Sequence, residues 1–135
     1  MAYYNSKVIA SSFDDAIVKV TEALKKEGFG VLTEIEVKAT FKKKLDVDFR
    51  NYKILGACNP PNAYKAISAE ENIGVLLPCN VVVQELACPA GRKEEGKIQI
   101  SAVNPIESMK VIGNNSIEEI AGDISSKLNR VLENL

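Results

Sequence analysis

The chain has 135 residues, of which 46% are hydrophobic and 26% charged, with a formal net charge of −1 and no histidine. This length and composition predict one globular domain spanning residues 1–135 and exclude an intrinsically disordered protein. The near-neutral charge gives no electrostatic reason to bind nucleic acid or an anionic membrane, and the absence of histidine excludes Ser-His-Asp and Cys-His catalysis.

The N-terminal part predicts a strand followed by a helix. The segment 6–11 is short and contains the β-branched residues Val8 and Ile9, which is typical of a strand. The following helix is expected to begin at Ser12, a good N-cap, with Asp15 as its capping-box acceptor. Gly28 is expected to end it.

Residues 29–38 alternate in polarity and predict a half-buried strand. One face is expected to carry Phe29, Val31, Thr33, Ile35 and Val37. The other face is expected to carry Leu32, Glu34, Glu36 and Lys38.

A short helix is expected at residues 38–45, with Phe41 and Leu45 pointing inward. Its run of three lysines, residues 42–44, is typical of a solvated helix face.

The middle of the chain predicts further strands interrupted by a short helix. Residues 52–57 form the third predicted strand, and Asn59 is expected to cap a helix that Pro60 starts. Residues 73–77 and 80–86 are apolar and β-branched, so both are predicted as strands. Pro78 between them predicts a bulge or a break.

The C-terminal part predicts a charged loop, a strand and a long helix. The loop spans residues 88–96 and contains Cys88, and the strand spans residues 97–103. Ser116 and Glu119 form a capping box. The helix that follows draws one apolar stripe, made of Ile117, Ile120, Ala121, Ile124, Leu128, Val131, Leu132 and Leu135.

This order of elements predicts an α+β fold of two layers. We expect an antiparallel-rich sheet with two main helices on one face, in the order β-α-β(4)-α with short helical insertions. A parallel crossover from residues 52–57 through the helix to residues 73–77 is an alternative.

Two Cys-Asn pairs stand beside prolines, at Cys58-Asn59 and Cys79-Asn80. In either topology the two pairs belong to the same end of the sheet, so one ligand could touch both. Two close thiols could cycle with a disulfide or hold a soft metal. Buried cysteine is also simply a small hydrophobic residue, and each asparagine could serve chain geometry, with Asn80 bonding backbone groups freed at the break.

Glu34 and Glu36 are two residues apart on one face of the second predicted strand. Carboxylates at this spacing lie about 7 Å apart along a strand. They could perform acid/base chemistry, although a polar outer strand face is the more common explanation.

Three motifs together resemble a known bacterial and archaeal family. EGFGVLTEIEVKATFKKKLDVDF, YKILGACNPPNAYKA and IGVLLPCNVVVQE are similar to the family catalogued as domain of unknown function 302. The resemblance implies a compact α+β domain related in outline to the TATA-binding-protein-like fold, and a homodimer. It implies no established activity. The family motif carries over onto Gly28, Phe29, Gly30, Glu34, Gly56, Cys58, Asn59, Pro60, Pro78, Cys79 and Asn80.

These observations favour a small cytoplasmic, homodimeric binding domain for a small-molecule ligand, without a cofactor, a metal site or a membrane segment. The expected ligand-binding residues are Cys58, Asn59, Cys79, Asn80 and Glu34. One alternative is a thiol-dependent redox or soft-metal protein that uses Cys58 and Cys79. A second alternative is an acid/base enzyme that uses Glu34 and Glu36. Cys88 is expected to lie apart, in a loop.

Overall fold

The structure is a computed structural model that describes residues 2–86 and 96–135. The described residues form five strands: β1 (Tyr4–Ala10), β2 (Gly30–Glu36), β3 (Tyr52–Cys58), β4 (Cys79–Glu85) and β5 (Lys97–Val103). They form five α-helices: α1 (Phe13–Lys26), α2 (Val37–Leu45), α3 (Pro60–Ala69), α4 (Pro105–Ser108) and α5 (Asn115–Glu133). Two 3₁₀ turns span Ile73–Leu76 and Lys110–Ile112.

The five strands form one antiparallel sheet in the order β1-β5-β4-β3-β2. Helices α1 and α5 pack on one face of it, around a core that they share with the inward residues of β3, β4 and β5. The predicted α+β fold and its β-α-β(4)-α order are therefore confirmed. The parallel alternative is wrong, because β3 and β4 pair antiparallel.

Helix α1 begins and ends where its local signals predict. The Ser12 Oγ accepts a hydrogen bond from the backbone N–H of Asp15 at 3.2 Å. Gly28 follows the helix with a φ of +83°, a left-handed conformation that glycine adopts without a steric penalty.

Helix α5 supplies one long apolar stripe to the core, as its sequence predicts. Seven of its residues are buried: Ile117, Ala121, Ile124, Ser125, Leu128, Val131 and Leu132. The helix begins earlier than predicted, because Asn114 is the N-cap and its side chain accepts a hydrogen bond from the Ser116 N–H at 2.9 Å. Asparagine is at least as good an N-cap as serine, so the residue two positions earlier starts the helix.

The apolar segment 73–77 is not a strand. Ile73–Leu76 forms a 3₁₀ turn in which Ile73 is buried and Val75 is 86% exposed. A short apolar run fits a helical turn as well as a strand, so its composition alone could not separate the two. The predicted break at Pro78 is present, and β4 begins directly after it at Cys79.

Strand β2 is an edge strand with a bulge, and the prediction of a regular, half-buried strand was wrong. Its pairing with β3 shifts between Val31 and Thr33, which leaves Leu32 as an extra residue. Val31 lies opposite Ala57, whereas Thr33 lies opposite Gly56, so these two side chains belong to opposite faces. The inserted residue reverses the alternation from Thr33 onward.

The short helix α2 lies beside this edge and buries little. Phe41 is half-buried and its ring lies 5.1 Å from the ring of Phe49. Leu45 is 65% exposed, so the prediction that it points inward was wrong. Leu45 is the last residue of the helix, and Asp46 then turns the chain with a left-handed φ of +53°.

Candidate functional site

A cavity of about 250 Å³ lies at the end of the sheet where β3 finishes and β4 begins. It is bounded by these strand ends, by α3 and by one residue of α5. Nine of its lining residues are apolar: Phe29, Leu32, Ala57, Ala63, Ala66, Ile67, Leu77, Pro78 and Ile124. The other three are Cys58, Asn59 and Cys79. No charged residue is found among this described lining.

The two cysteines lie at the same end of the sheet, as predicted, and both line this cavity. Cys58 is the last residue of β3, and Cys79, the first residue of β4, lies opposite Ala57. Cys58 is half-buried, whereas the exposed fraction of Cys79 is only 5%. Burial, and secondly the charge of a Cys58 thiolate, raise the pKa of the Cys79 thiol to about 11. Cys79 is therefore a protonated thiol at neutral pH.

Asn59 connects two helices at the cavity through its side-chain amide. Its Oδ1 accepts a hydrogen bond from the backbone N–H of Asn62 at 3.3 Å, which makes it the predicted cap of α3. Its Nδ2 donates to the backbone carbonyl of Glu27 at 3.2 Å. One buried side chain thus joins the C-terminus of α1 to the N-terminus of α3, and both polar atoms of its amide are already engaged.

Asn80 and Glu34 do not line this cavity. Asn80 is exposed and borders a different concavity, on the sheet face that α1 and α5 leave uncovered. The expected bond from Asn80 to backbone freed at Pro78 does not occur among the described residues. Glu34 is exposed on the edge strand, opposite Leu55.

Glu36 also lies outside the cavity. It is exposed at the end of β2, and its Oε1 lies 3.3 Å from the Nζ of Lys53. Because neither glutamate lines the apolar cavity, the two carboxylates and the two thiols do not form one site.

The rim of the cavity is apolar and was missed by the sequence analysis. Leu32 is 68% exposed and Ile67 is 47% exposed, and both line the cavity, which makes them its solvent-facing edge. Leu32 is the extra residue at the register shift in β2, and bulges redirect side chains in this way. Regular alternation conceals a bulge, so the sequence carried no signal for this residue.

The face of the sheet opposite α1 and α5, here called the open face, carries no charge at its centre. Its side chains alternate with the buried ones along β1, β3, β4 and β5: Tyr4, Ser6, Val8, Tyr52, Ile54, Val82, Gln84, Gln99, Ser101 and Val103. A concavity of about 400 Å³ lies on this face. Arg50 stands at its rim, stacked over Phe49 and Tyr52 and donating to the Gln84 Oε1 at 2.9 and 3.2 Å.

Two further observations concern metals and membranes. Within residues 2–86 and 96–135, no group of three or more cysteine, aspartate and glutamate side chains is arranged to hold a metal ion. The described helices include none that is both long and apolar enough to cross a membrane. Cys88, expected to lie apart in a loop, falls outside the described residues.

Comparison with known proteins shows similarity to a protein family and to solved structures. The family model described as "Domain of unknown function DUF302" matches residues 5–135. The crystal structure of an uncharacterized conserved DUF302 protein from Bacillus stearothermophilus is similar, with a TM-score of 0.86 and 27% sequence identity. The similarity covers 99% of this chain and 98% of that one. The comparison with curated proteins finds no match.

Proposed function

The chain belongs to the family described as domain of unknown function DUF302, and from this premise we propose that it is a binding domain for a small, uncharged, apolar molecule. The observation that carries the proposal is the apolar cavity beside Cys58 and Cys79. An apolar concavity with a few polar groups is the usual form of a small-molecule site. We also propose the cytoplasm as its location, because the two described cysteines are free thiols.

The lining determines what chemistry the ligand can have. An ionised ligand would lose its hydration without gaining a charged partner from the described lining, which is strongly unfavourable. The amide of Asn59 already makes one hydrogen bond through each of its polar atoms, to Asn62 and Glu27. Its remaining N–H and lone pair, together with the two thiols, are the polar side-chain groups that the described lining offers. An apolar cavity of about 150 Å³ holds benzene. A cavity of about 250 Å³ therefore suits a fused bicyclic molecule.

Indole is a suitable probe, and we expect it to bind in this cavity. A titration followed by ¹H–¹⁵N NMR should shift the amide signals of residues at the cavity, such as Ala57, Ala63 and Leu77. The Ala63→Leu variant should bind indole at least tenfold more weakly, because the larger side chain occupies the cavity. Indole-5-carboxylate should bind the wild-type protein at least tenfold more weakly than indole, because its charge would be buried without a partner.

A matched control is available on the same helix. Ala69 is the exposed last residue of α3 and does not line the cavity, so Ala69→Leu should leave indole affinity unchanged. The proposal would be contradicted if millimolar indole caused no change in the chemical shifts of amides at the cavity. Equal losses of affinity in the two leucine variants would also contradict it.

We further propose that the binding domain is a homodimer and that two copies meet through their open faces. The exposed side of an antiparallel sheet normally carries polar and charged side chains. Here its central residues are uncharged, in a chain of which 26% of residues are charged. Depletion of charge together with surface tyrosine, here Tyr4 and Tyr52, is typical of the core of a protein interface.

A second copy is the partner that this chemistry fits. The amides of Gln84 and Gln99 and the hydroxyls of Ser6 and Ser101 can each donate and accept hydrogen bonds. The same surface can therefore satisfy itself across a two-fold axis, as a symmetric dimer requires. The uncharged centre of this face also does not repel a copy of itself, and the net charge of −1 adds little long-range repulsion.

Ser101→Lys tests this interface. Ser101 lies at the centre of the open face, between Ser6 of β1 and Val82 of β4. Light scattering of the wild-type protein should give twice the chain mass of 14.7 kDa. The lysine variant should give the monomer mass, because two desolvated ammonium groups would be placed in one interface.

Ser126→Lys, on the exposed side of α5, is the control and should remain dimeric. A wild-type monomer at 200 µM would overturn the dimer, and a dimeric Ser101→Lys protein would overturn this choice of face. Circular dichroism of both variants excludes unfolding as the cause of a mass change.

A further inference from the structure

We propose that Cys58 is a thiol-exchange site that captures small apolar disulfides from the cavity as a lasting mixed disulfide. The inference rests on the proposed binding function, because it requires the cavity to admit an apolar molecule. It adds to that function a chemical step, a class of reactant and different roles for the two cysteines.

The first step concerns access. Cys58 is half-buried and lines the cavity together with Leu32 and Ile67, the two exposed residues of its rim. A molecule that enters over this rim therefore arrives beside Cys58. An apolar disulfide bound in the cavity is already next to the Cys58 sulfur. It therefore reacts faster than a disulfide that must meet Cys58 by diffusion from solution. A charged disulfide gains no such advantage from a lining without charged residues.

The exchange itself is balanced without any further reactant. The thiolate of Cys58 attacks one sulfur of the disulfide R–S–S–R, and a new Cys58–S–S–R bond forms as the old S–S bond breaks. The leaving R–S⁻ takes a proton from water. The incoming disulfide is the oxidant: Cys58 is oxidised to the mixed disulfide, and one half of the reagent is reduced to its thiol.

The second cysteine is placed to leave this product intact. Resolution would require a Cys79 thiolate to attack the mixed disulfide, and Cys79 is only 5% exposed in an apolar lining. Burial, and secondly the charge of a Cys58 thiolate, raise the thiol pKa of Cys79 from 9.0 to about 11, and burial, the larger cause, persists when Cys58 is in the mixed disulfide. At pH 8 the thiolate fraction of Cys79 is therefore well below that of an ordinary thiol. The mixed disulfide at Cys58 therefore persists instead of passing on to an internal Cys58–Cys79 bond.

Two aromatic disulfides of different charge test the inference. The protein carries Cys88→Ser, so that only Cys58 and Cys79 can react. It is mixed at pH 8 with neutral 2,2′-dithiodipyridine or with dianionic 5,5′-dithiobis(2-nitrobenzoate), and the released thiol is followed by absorbance. N-acetylcysteine provides the reference rate for each reagent. The neutral-to-dianionic rate ratio should be at least tenfold higher for the protein than for the reference.

The amount of thiol released separates capture from resolution. Capture at Cys58 should release one equivalent per chain and add one pyridylthio group to the mass. Attack by Cys79 would release a second equivalent and leave an internal disulfide, which would overturn the lasting mixed disulfide. Cys58→Ser should abolish the fast release, and unchanged release in that variant would overturn the assignment to Cys58. A rate ratio equal to that of N-acetylcysteine would overturn capture from the cavity.

Further variants distinguish failure of this inference from failure of the binding function. Ala63→Leu should slow the neutral reagent at least fivefold, whereas Ala69→Leu should not slow it. The indole titration is also run on the Cys88→Ser protein without any disulfide reagent, so that both cavity cysteines are retained. If indole binds this protein but Cys58 reacts with the neutral and the dianionic disulfide in the same rate ratio as N-acetylcysteine, the exchange site is wrong and the binding function stands. If indole does not bind, the binding function itself is wrong.

Discussion

Replacing Leu128 by alanine should lower the free energy of unfolding by about 2–5 kcal/mol, the range found when a buried leucine is truncated. Leu128 is 2% exposed and lies in the core formed by α1, α5 and the inward side chains of the sheet. Its removal takes apolar surface out of the core and leaves a space that surrounding residues fill only partly. Because α5 contributes one face of the core, loosening it affects the whole fold.

Urea unfolding followed by circular dichroism measures this loss as a lower midpoint at an unchanged slope. Leu45→Ala is the matched control, since the same atoms are removed from a side chain that is 65% exposed. Its effect should stay within about 0.5 kcal/mol. Equal midpoints for the Leu128 variant and the wild-type protein would show that α5 does not dock through its apolar stripe.

Replacing Gly56 by alanine should lower the free energy of unfolding by about 1–3 kcal/mol through overpacking. Gly56 is buried in β3, between the bulged strand β2 and the start of β4. An added Cβ would overlap the Oγ1 of Thr33 and come within 2.9 Å of the Cγ of Pro78. The threonine side chain can rotate away, but the proline ring cannot, so part of the strain must remain.

Two variants separate this clash from a general effect of adding a methyl group. Gly74→Ala is the control, because a Cβ there meets no atom within 4 Å, and it should change the urea midpoint little. Adding Thr33→Ala to the Gly56→Ala protein should recover part of the loss, since it removes one of the two colliding groups. Equal midpoints for Gly56→Ala and Gly74→Ala would contradict this account of β3.

The sequence by itself determined the elements whose signals are local. Ser12 and Gly28 mark the ends of α1, and Asn59 with Pro60 marks the start of α3, because each needs only its own backbone neighbours. The stripe of α5 follows from helical periodicity. The order of elements then sufficed for the α+β class, and the meander placed Cys58 and Cys79 at one end of the sheet.

Only the tertiary structure decided which residues share the candidate site. The register shift at Leu32 depends on how β2 pairs with β3, and nothing in the alternation of residues 29–38 reveals it. That shift brings Leu32 to the cavity rim, while Glu34 stays outside on the exposed edge strand.

The sequence also could not show that the two Cys-Asn pairs differ in their surroundings, because both have the same two residues beside a proline. Cys58 and Asn59 line the cavity, and Cys79 lines it as a buried thiol, but Asn80 borders the concavity of the open face. Successive residues of a strand point to opposite faces, so neighbours in sequence are separated by the sheet itself. Which face is covered is set by the packing of α1 and α5, which are distant in sequence. That long-range packing is the physical reason why the cavity could be seen only in the folded chain.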